Sequence, residues 1–282
     1  MGKNTKQNDD KRRSVSEDYA RAVREPSSSC CCLPESKGVV AKLADYSDEE
    51  IAALPPEAVV NSFGCGNPLA FLDVQPGDVV LDLGCGTGID LLLAAKKVGN
   101  TGKVIGVDMT DAMIEKAREN IVAAGLTNVE VRKGIIEDLP VDDGSIDLVI
   151  SNCVINLSPE KPRVFAEIAR VLKPGGRMLV SDIVAEDLPA EIASNRRLYS
   201  SCLAGAIAEK AYLNGLRKAG LEEVEVKDRL VYNTSQIEVF IGSELQEAGT
   251  GCCSGPGDVF AKHWAPRLQG KVVSVKVAAR KP

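Results

Sequence analysis

The sequence lacks several features that would place it in common classes of protein. No apolar run reaches the ~18 residues that a membrane-spanning helix needs. The first twenty residues, MGKNTKQNDDKRRSVSEDYA, contain no apolar stretch of the kind a secretory signal requires. A formal net charge of −6 leaves no basic excess for binding nucleic acid or an anionic membrane. These absences predict a cytoplasmic protein, and the 44% hydrophobic content is enough for a sizeable globular core.

Histidine is nearly absent, whereas cysteine is abundant. The one histidine, His263, falls in a C-terminal segment without a strong pattern, and we interpret it as a surface residue. A chain without an export signal is expected in a reducing compartment, where cysteines are more often catalytic, redox-active or metal-binding than structural disulfides. No CxxC pair occurs, which argues against a zinc ribbon. The nine cysteines are Cys30, Cys31, Cys32, Cys65, Cys85, Cys153, Cys202, Cys252 and Cys253.

Strand and helix patterns alternate at short spacing from Asp78 onward. Short apolar runs bounded by turn residues predict buried strands, and Thr110 is a plausible N-cap for the helix after the second strand. This alternation predicts an α/β fold with a doubly wound, mostly parallel, seven-stranded sheet. The predicted strands are VVLDLG, KVIGVDM, VEVRKG, SIDLVISN, GRMLVSDIV, EVEVKDRLVY and KVVSVKVAAR.

Three regions follow from composition. Residues 1–45 are charged and Ser-rich, which predicts a mobile N-terminal arm that carries Cys30–Cys32. Residues 46–232 form the predicted core, which begins with a capping box from Ser47 to Glu50 and a short helix. Residues 233–282 form a C-terminal segment with a cysteine pair and a last strand, and we expect its part from 233 to 270 to be loosely structured.

A glycine loop follows the first predicted strand. Gly84, Gly86 and Gly88 would let the backbone turn tightly and approach a ligand at the N-terminus of the next helix. Asp108 ends the second strand, where a carboxylate can bind both hydroxyls of a ribose. A GxGxxG dinucleotide motif would require glycine where the chain has Ile89. The alternative is that the glycines only allow a tight turn and that the loop binds no ligand.

The motifs LDLGCGTG, GVDM, LPVDDGSIDLVISN and LKPGG resemble those of the class I methyltransferases that use S-adenosylmethionine, over residues 78–232. This resemblance implies a sheet of the class I methyltransferase type and S-adenosylmethionine as cofactor. It implies that Asp82 and the glycines face the methionine part and that Asp108 holds the ribose. It also implies that Met109 packs on the adenine, Ile136 lies beside the ring, and Glu137 accepts from the exocyclic amine. Asn152 would close the site with its backbone, and Cys85 would be a small residue in a tight place.

Three cysteines, and no histidine that could act as a base, are placed around the predicted site. Cys153 ends the fourth strand, Cys202 follows the fifth, and Cys65 lies between two glycines ahead of the first. Their thiolates could converge above the cofactor as soft ligands for a soft acceptor. Trivalent arsenic bound by three thiolates keeps a lone pair that can attack a methyl group, and no proton has to be removed. Simple packing is the alternative, because free cysteine is often buried.

The stretches around these cysteines, such as VVNSFGCGNP, ISNCVINLSPEKPRVFAEIARVLKPGG and SSCLAGAIAEKAYLNGLRKAG, resemble those of arsenite methyltransferases from about residue 17 to 232. The resemblance implies that Cys65, Cys153 and Cys202 are the catalytic, arsenic-binding cysteines and that one of Cys30, Cys31 and Cys32 is a redox partner. It implies methylation of arsenite in detoxification. We expect arsenite to arrive as a thiol complex, glutathione or thioredoxin to act as reductant, and the protein to be a monomer that binds neither nucleic acid nor membrane.

Two other functions fit part of the sequence. A methyltransferase of a small organic metabolite would explain the glycine loop but not the three cysteines, and a protein that only sequesters metalloids would not need the cofactor motifs. The segment 233–270 has no secure counterpart in the arsenite methyltransferases. We expect its pair Cys252–Cys253 to be exposed and to capture arsenite by ligand exchange, with a solvated loop without function as the open alternative.

Overall fold

The computed structural model describes residues 2–24, 54, 67, 69, 74–245 and 256–282. The helices of these parts are α1 (Gly2–Arg24), α2 (Ile89–Val98), α3 (Asp111–Ala123), α4 (Lys161–Val171), α5 (Ala190–Ala193), α6 (Arg196–Ser200), α7 (Glu209–Lys218), α8 (Thr234–Leu245) and α9 (Pro256–Leu268), with a 3-10 turn at Ile155–Leu157. The strands are β1 (Val79–Leu83), β2 (Lys103–Asp108), β3 (Val129–Lys133), β4 (Ile146–Asn152), β5 (Leu172–Ala185), β6 (Glu222–Val231) and β7 (Val272–Arg280). Within the described residues, no helix is long and apolar enough to cross a membrane.

The strands form one sheet in the order β3-β2-β1-β4-β5-β7-β6. Pairing is parallel from β3 to β5, and β7 runs antiparallel to both β5 and β6. The predicted seven-stranded, mostly parallel α/β sheet is therefore confirmed. Its strand order reverses between β1 and β4, and in such sheets ligands bind outside the carboxyl ends of the strands at this switch point.

Both faces of the sheet are covered by helices, which is why the central strands are apolar throughout. Helices α2 and α3 pack on one face through residues such as Leu92 and Ala117. Helices α4 and α7 cover the other face, where Phe165 meets Tyr212 edge to face at 5.2 Å between ring centroids. The apolar burial therefore anchors the strand ends that carry the site.

A third apolar cluster lies apart from these two faces, and we call it the cysteine cluster. It joins residues from α1, the loops after β4 and β5, and helices α8 and α9. Its buried members are Val15, Cys153, Leu157, Ile183, Ala185, Ile192, Leu198, Cys202, Leu203, Tyr232, Ile237, Ile241, Ala261, Ala265, Leu268 and Val272.

The N-terminus differs from the mobile arm predicted over residues 1–45. Residues 2–24 form helix α1, and Val15 is only 1% exposed within the cysteine cluster. The helix is charge-rich, but several of its polar groups have partners on the core: Arg12 pairs with Glu137, and Asp18 accepts from Ser200 at 2.7 Å. Composition alone therefore misled the prediction for this half. The other half of the arm, with Cys30–Cys32, lies outside the described residues.

The C-terminal segment also differs from its prediction. Helices α8 and α9 occupy much of the stretch 233–270 that was expected to be loosely structured. Ile237 and Ile241 of α8, and Ala261 and Ala265 of α9, repeat at four-residue spacing and are buried in the cysteine cluster. Cys252 and Cys253, like the helix predicted from Ser47, lie outside the described residues.

Gly215 and Gly242 provide a matched test of packing within helices. A Cβ at Gly215 of α7 would collide with the buried ring of Phe165, whereas a Cβ at Gly242 of α8 would make ordinary contacts at 3.6 and 3.9 Å. Overpacking costs about 1–3 kcal/mol, and replacing glycine by alanine in a helix returns up to about 1 kcal/mol. We expect Gly215→Ala to lower the midpoint of urea unfolding and Gly242→Ala to leave it unchanged or raise it. Equal effects of the two substitutions would contradict this packing account.

Candidate functional site

The glycine loop after β1 needs residues without a side chain. Gly84 and Gly86 have φ values of 64° and 52°, in the left-handed region that L residues rarely adopt. A Cβ at Gly84 would collide with Val154, so the loop packs closely on the segment after β4. A Cβ at Gly86 would meet no atom within 4 Å, because this part of the loop borders open space.

Asp108, at the end of β2, holds the loop in place. Its carboxylate accepts hydrogen bonds from the backbone N–H of Gly86 at 3.0 Å and of Thr110 at 2.8 Å. Burial raises the pKa of Asp108, and the hydrogen bonds from Thr110 and Gly86 lower it in part. Thr110 is the N-cap residue of α3, as predicted, and its hydroxyl donates to Ser16 of α1 at 3.1 Å.

A cleft that is partly open to solvent lies at this edge of the sheet. Gly88 is not among its lining residues. It is the N-cap residue of α2, where its φ of 91° favours glycine, and it lies beside Ala117 of α3. The structure brings the other eight predicted cofactor-binding residues together around the cleft: Asp82, Gly84, Gly86, Asp108, Met109, Ile136, Glu137 and Asn152.

The cleft is lined by carboxyl groups, and Arg12 provides the one cationic side chain among the described residues that line it. Burial, followed by the neighbouring charges of Asp90 and Asp108, raises the pKa of Asp82 well above its usual range. Asp90 accepts from the side-chain amide of Asn152 at 3.3 Å. Such a cleft suits a ligand that carries positive charge and hydroxyl or amino groups. S-adenosylmethionine fits this description, because it has a sulfonium, an ammonium, a ribose and an adenine amine.

Helix α1 contributes two cleft residues that the sequence analysis missed, Arg12 and Tyr19. Arg12 donates to Glu137 at 3.1 Å and also pairs with Glu160. Ser158 donates to the same oxygen of Glu137 at 2.6 Å. Arg12 and Tyr19 are seven positions apart and therefore share one helix face, but nothing in the local pattern connects that face with residues more than a hundred positions away.

Cys153 and Cys202 lie together at the carboxyl end of the sheet. Their exposed fractions are 5% and 3%, and the thiol of Cys202 donates to the backbone carbonyl of Cys153. Both have left-handed backbones, with φ values of 61° and 71°. They are two of the four non-glycine residues with positive φ in the described chain, and such conformations cluster at functional sites.

The segment that carries Cys202 is fastened to the segment that carries Cys153 at further points. The hydroxyl of Tyr199 donates to the carbonyl of Leu157 at 3.1 Å. Gly205 lies so close to the carbonyl of Asn156 that a Cβ would not fit there. Lys161, which follows Cys153 on the same segment, also donates to this carbonyl at 3.2 Å and steadies it locally. The two cysteine turns therefore form one rigid unit beside the cleft, although neither cysteine lines it.

The described cysteines differ in their chemical state. Cys153 is disulfide-bonded, whereas Cys85 and Cys202 form no disulfide. Cys85 lines the cleft, but its sulfur packs against Gly106, where a Cβ would approach it to 2.7 Å. Burial, then the charges of Asp108 and Asp82, raises the pKa of the Cys85 thiol well above its usual range, so it stays protonated and is a poor ligand. Cys65 lies outside the described residues.

His263 is an exposed residue of α9 beside Trp264, as expected from the sequence. It belongs neither to the cleft nor to the cysteine cluster. Within the part of the chain that the structure describes, no group of three or more His, Cys, Asp and Glu residues could hold a metal ion.

Residues 75–220 match the family model of a methyltransferase domain. The arsenite methyltransferase of Halobacterium salinarum is 45% identical over 70% of this chain and 50% of its own length. The human arsenite methyltransferase is 36% identical over 56% of this chain and 44% of its own length. The chain spans about half the length of these curated relatives.

Solved structures point the same way. The crystal structure of CrArsM, an arsenic(III) S-adenosylmethionine methyltransferase from Chlamydomonas reinhardtii, is 34% identical, with a TM-score of 0.60 over 86% of this chain and 72% of that one. A geranyl diphosphate methyltransferase in complex with S-adenosylmethionine has the same fold, with a TM-score of 0.60 at 20% identity over 86% of this chain and 94% of that one. This chain belongs to the arsenite methyltransferases within the S-adenosylmethionine-dependent class I methyltransferase family.

Proposed function

We propose that the protein methylates trivalent arsenic with S-adenosylmethionine and so serves arsenic detoxification. The observation that carries this proposal is the pair Cys153 and Cys202, which are buried in left-handed turns and joined by a hydrogen bond beside an acidic cleft. The curated arsenite methyltransferases at 45% and 36% identity support the same acceptor. Because arsenite is thiophilic, a site built from cysteines is more consistent with arsenic than with an organic metabolite as acceptor.

The cleft residues would hold the cofactor by charge and shape. Asp108 would accept from the ribose hydroxyls, and Asp82 would face the methionine part. Met109 and Ile136 would enclose the adenine, and Glu137, held by Arg12 and Ser158, would accept from its amine. When bound, S-adenosylmethionine supplies an electrophilic methyl group on a sulfonium sulfur and leaves as S-adenosylhomocysteine.

The role of Asp108 can be tested by binding alone. Asp108→Ala removes charge-assisted hydrogen bonds worth about 1.5–3 kcal/mol each as an upper range, so the affinity for S-adenosylhomocysteine should fall at least about tenfold. Calorimetric titration measures this affinity. Asp111→Ala is the matched control, because Asp111 is an exposed carboxylate at the start of α3 that pairs with Lys133. Unchanged affinity in Asp108→Ala would contradict the ribose assignment.

The acceptor would be arsenite held by the thiolates of Cys65, Cys153 and Cys202. Its lone pair forms the new arsenic–carbon bond while the carbon–sulfur bond of the sulfonium breaks, and the electron pair stays on sulfur. Arsenic rises formally from the trivalent to the pentavalent state. Two thiols then form a disulfide, and the two electrons they release reduce the arsenic to the trivalent state again. No base takes part, which agrees with the exposed position of His263.

Matched cysteine substitutions test this acceptor. With S-adenosylmethionine, thiol and arsenite, the unmodified protein should yield methylated arsenic, detectable by mass spectrometry. Cys153→Ser and Cys202→Ser should abolish this product, because a hydroxyl is a poor ligand for arsenic. Cys85→Ser is the control and should retain activity within about threefold, because the Cys85 thiol is buried and protonated. A loss as severe in Cys85→Ser as in Cys153→Ser would refute the three-thiolate site.

The disulfide at Cys153 makes a redox requirement part of the proposal. A thiolate site that includes Cys153 forms only after this bond is reduced by thiol–disulfide exchange, for which glutathione or thioredoxin would serve. We also propose that one of Cys30–Cys32 exchanges with Cys65 during the cycle.

Peptide mapping and arsenite binding test the redox requirement together. In the oxidised protein, non-reducing maps should place Cys153 in a cross-linked peptide and leave Cys85 and Cys202 unlinked. X-ray absorption should detect sulfur-bound arsenite only after treatment with thioredoxin or glutathione. Full arsenite binding by the oxidised protein would show that the Cys153 disulfide is irrelevant to the site. Absence of a cross-link between Cys65 and any of Cys30–Cys32 after mild oxidation would refute the proposed exchange.

A further inference from the structure

One face of helix α1 reaches both the cleft and the cysteine cluster. Arg12, Val15, Ser16 and Tyr19 follow the spacing i, i+3, i+4, i+7 and therefore share this face. Arg12 contacts Glu137 beside the cleft, whereas Val15 is buried in the cysteine cluster.

Contacts outside this face fix the helix on the segment of Cys202. Asp18 accepts from the hydroxyl of Ser200 at 2.7 Å. The ammonium of Lys11 lies 5.0 Å from the centre of the Tyr199 ring, within the range of a cation–π contact. The contacts of Lys11 and Asp18 hold α1 against the segment of Cys202, so the side chains between these two residues have defined positions.

Tyr19 occupies the boundary between the two parts of the site. Three of the described cleft residues also pack in or against the cysteine cluster, namely Tyr19, Met109 and Leu157. Tyr19 is the only aromatic residue among the described residues that line the cleft. A methyl group passing from the cleft to an acceptor at Cys202 has to cross this boundary.

We propose that the ring of Tyr19 contacts the sulfonium of bound S-adenosylmethionine and holds its methyl group toward the cysteine cluster, an inference that rests on the function proposed above. The face of an aromatic ring attracts a cation, and the attraction grows when water is excluded. The sulfonium is a cation, whereas the thioether of S-adenosylhomocysteine is neutral. A ring at this place would therefore favour the methyl donor over its product.

The chemical state of Tyr19 agrees with a contact through the ring face. Burial, then the nearby Cys202 and the carboxylates of Glu244 and Asp108, raises the pKa of the Tyr19 phenol well above its usual range. The hydroxyl therefore stays protonated near neutral pH, and the residue offers an uncharged ring. The carboxylates of the cleft also attract a cation, so the test has to separate their contribution from that of the ring.

The test compares the affinities for S-adenosylmethionine and S-adenosylhomocysteine by calorimetry, without arsenite. Tyr19→Leu should weaken S-adenosylmethionine about tenfold and S-adenosylhomocysteine less than about twofold, and Tyr19→Phe should keep both within about twofold. Tyr232→Leu is the matched control. It removes a buried tyrosine of the cysteine cluster that does not line the cleft, and it should not change the ratio of the two affinities. Equal weakening of both ligands by Tyr19→Leu, or of neither, would overturn the proposal.

A second series keeps the test decisive if Tyr19→Leu fails to fold. Phenylalanine with none, one, two or three fluorines at position 19 preserves the ring while its face becomes progressively less negative. The affinity for S-adenosylmethionine should fall stepwise along the series, and that for S-adenosylhomocysteine should stay level. A flat series for both ligands would refute the ring contact.

These measurements separate the two proposals. If the ring discriminates between the two ligands but no methylated arsenic forms, the acceptor proposed above is wrong and the assignment of Tyr19 stands. If arsenite is methylated but position 19 does not discriminate, the assignment of Tyr19 is wrong and the acceptor stands.

Discussion

The site depends on two left-handed cysteines held against each other at the carboxyl end of the sheet. An L residue in this conformation costs roughly 1–2 kcal/mol, so Cys153 and Cys202 keep it only because their surroundings impose it. The amide of Cys153 donates to Ser181 of β5 at 2.7 Å, and the thiol of Cys202 donates to the carbonyl of Cys153. The bond from Tyr199 to the carbonyl of Leu157 fixes the same two turns further.

The cleft beside these turns concentrates negative charge at a place where it is costly. Asp82 and Asp108 are 2% and 9% exposed, and burial is the largest cause of the raised pKa of each. Asp108 is partly compensated by two backbone amides, and Glu137 by Arg12 and Ser158. At Asp82 the carboxylates of Asp90 and Asp108 add to burial in raising the pKa. The repulsion between the carboxylates of Asp82, Asp90 and Asp108 destabilises the fold. A cationic ligand would offset this repulsion, so these carboxylates favour its binding.

The elements outside the central sheet complete the site from three directions. Helix α1 covers the cleft and reaches the segment of Cys202. Helices α8 and α9 bury their apolar sides against the cysteine cluster. Tyr199 and Lys161 bind the carbonyls of the loop after Cys153. The contact of Ser200 with Asp18 and that of Tyr199 with Leu157 join residues 182 and 42 positions apart, so this region takes shape only in the folded protein.

The sequence by itself determined the seven strands, the glycine loop and the place of Asp108. These features rest on short-range patterns, such as an apolar run that ends at Gly84 or a carboxylate at the end of a strand, and the backbone obeys them without distant help. The family resemblance, together with the place of Cys153 after the fourth strand, is also the basis for proposing Cys65, Cys153 and Cys202 as arsenic ligands. Eight of the nine predicted cofactor residues surround one cleft, although Asp82, Met109, Ile136, Glu137 and Asn152 were predicted from the family resemblance and not from a local pattern.

Only the tertiary structure decided how α1, α8 and α9 contribute. The charged composition of α1 suggested a mobile arm. Its docking could not be predicted, because Arg12 pairs with Glu137, 125 positions away, and Asp18 with Ser200, 182 positions away. No local pattern encodes a contact over such a separation, and whether a polar helix docks depends on groups that folding brings to it. The left-handed backbone of Cys153 and Cys202 likewise arises from packing, because cysteine has no intrinsic preference for it.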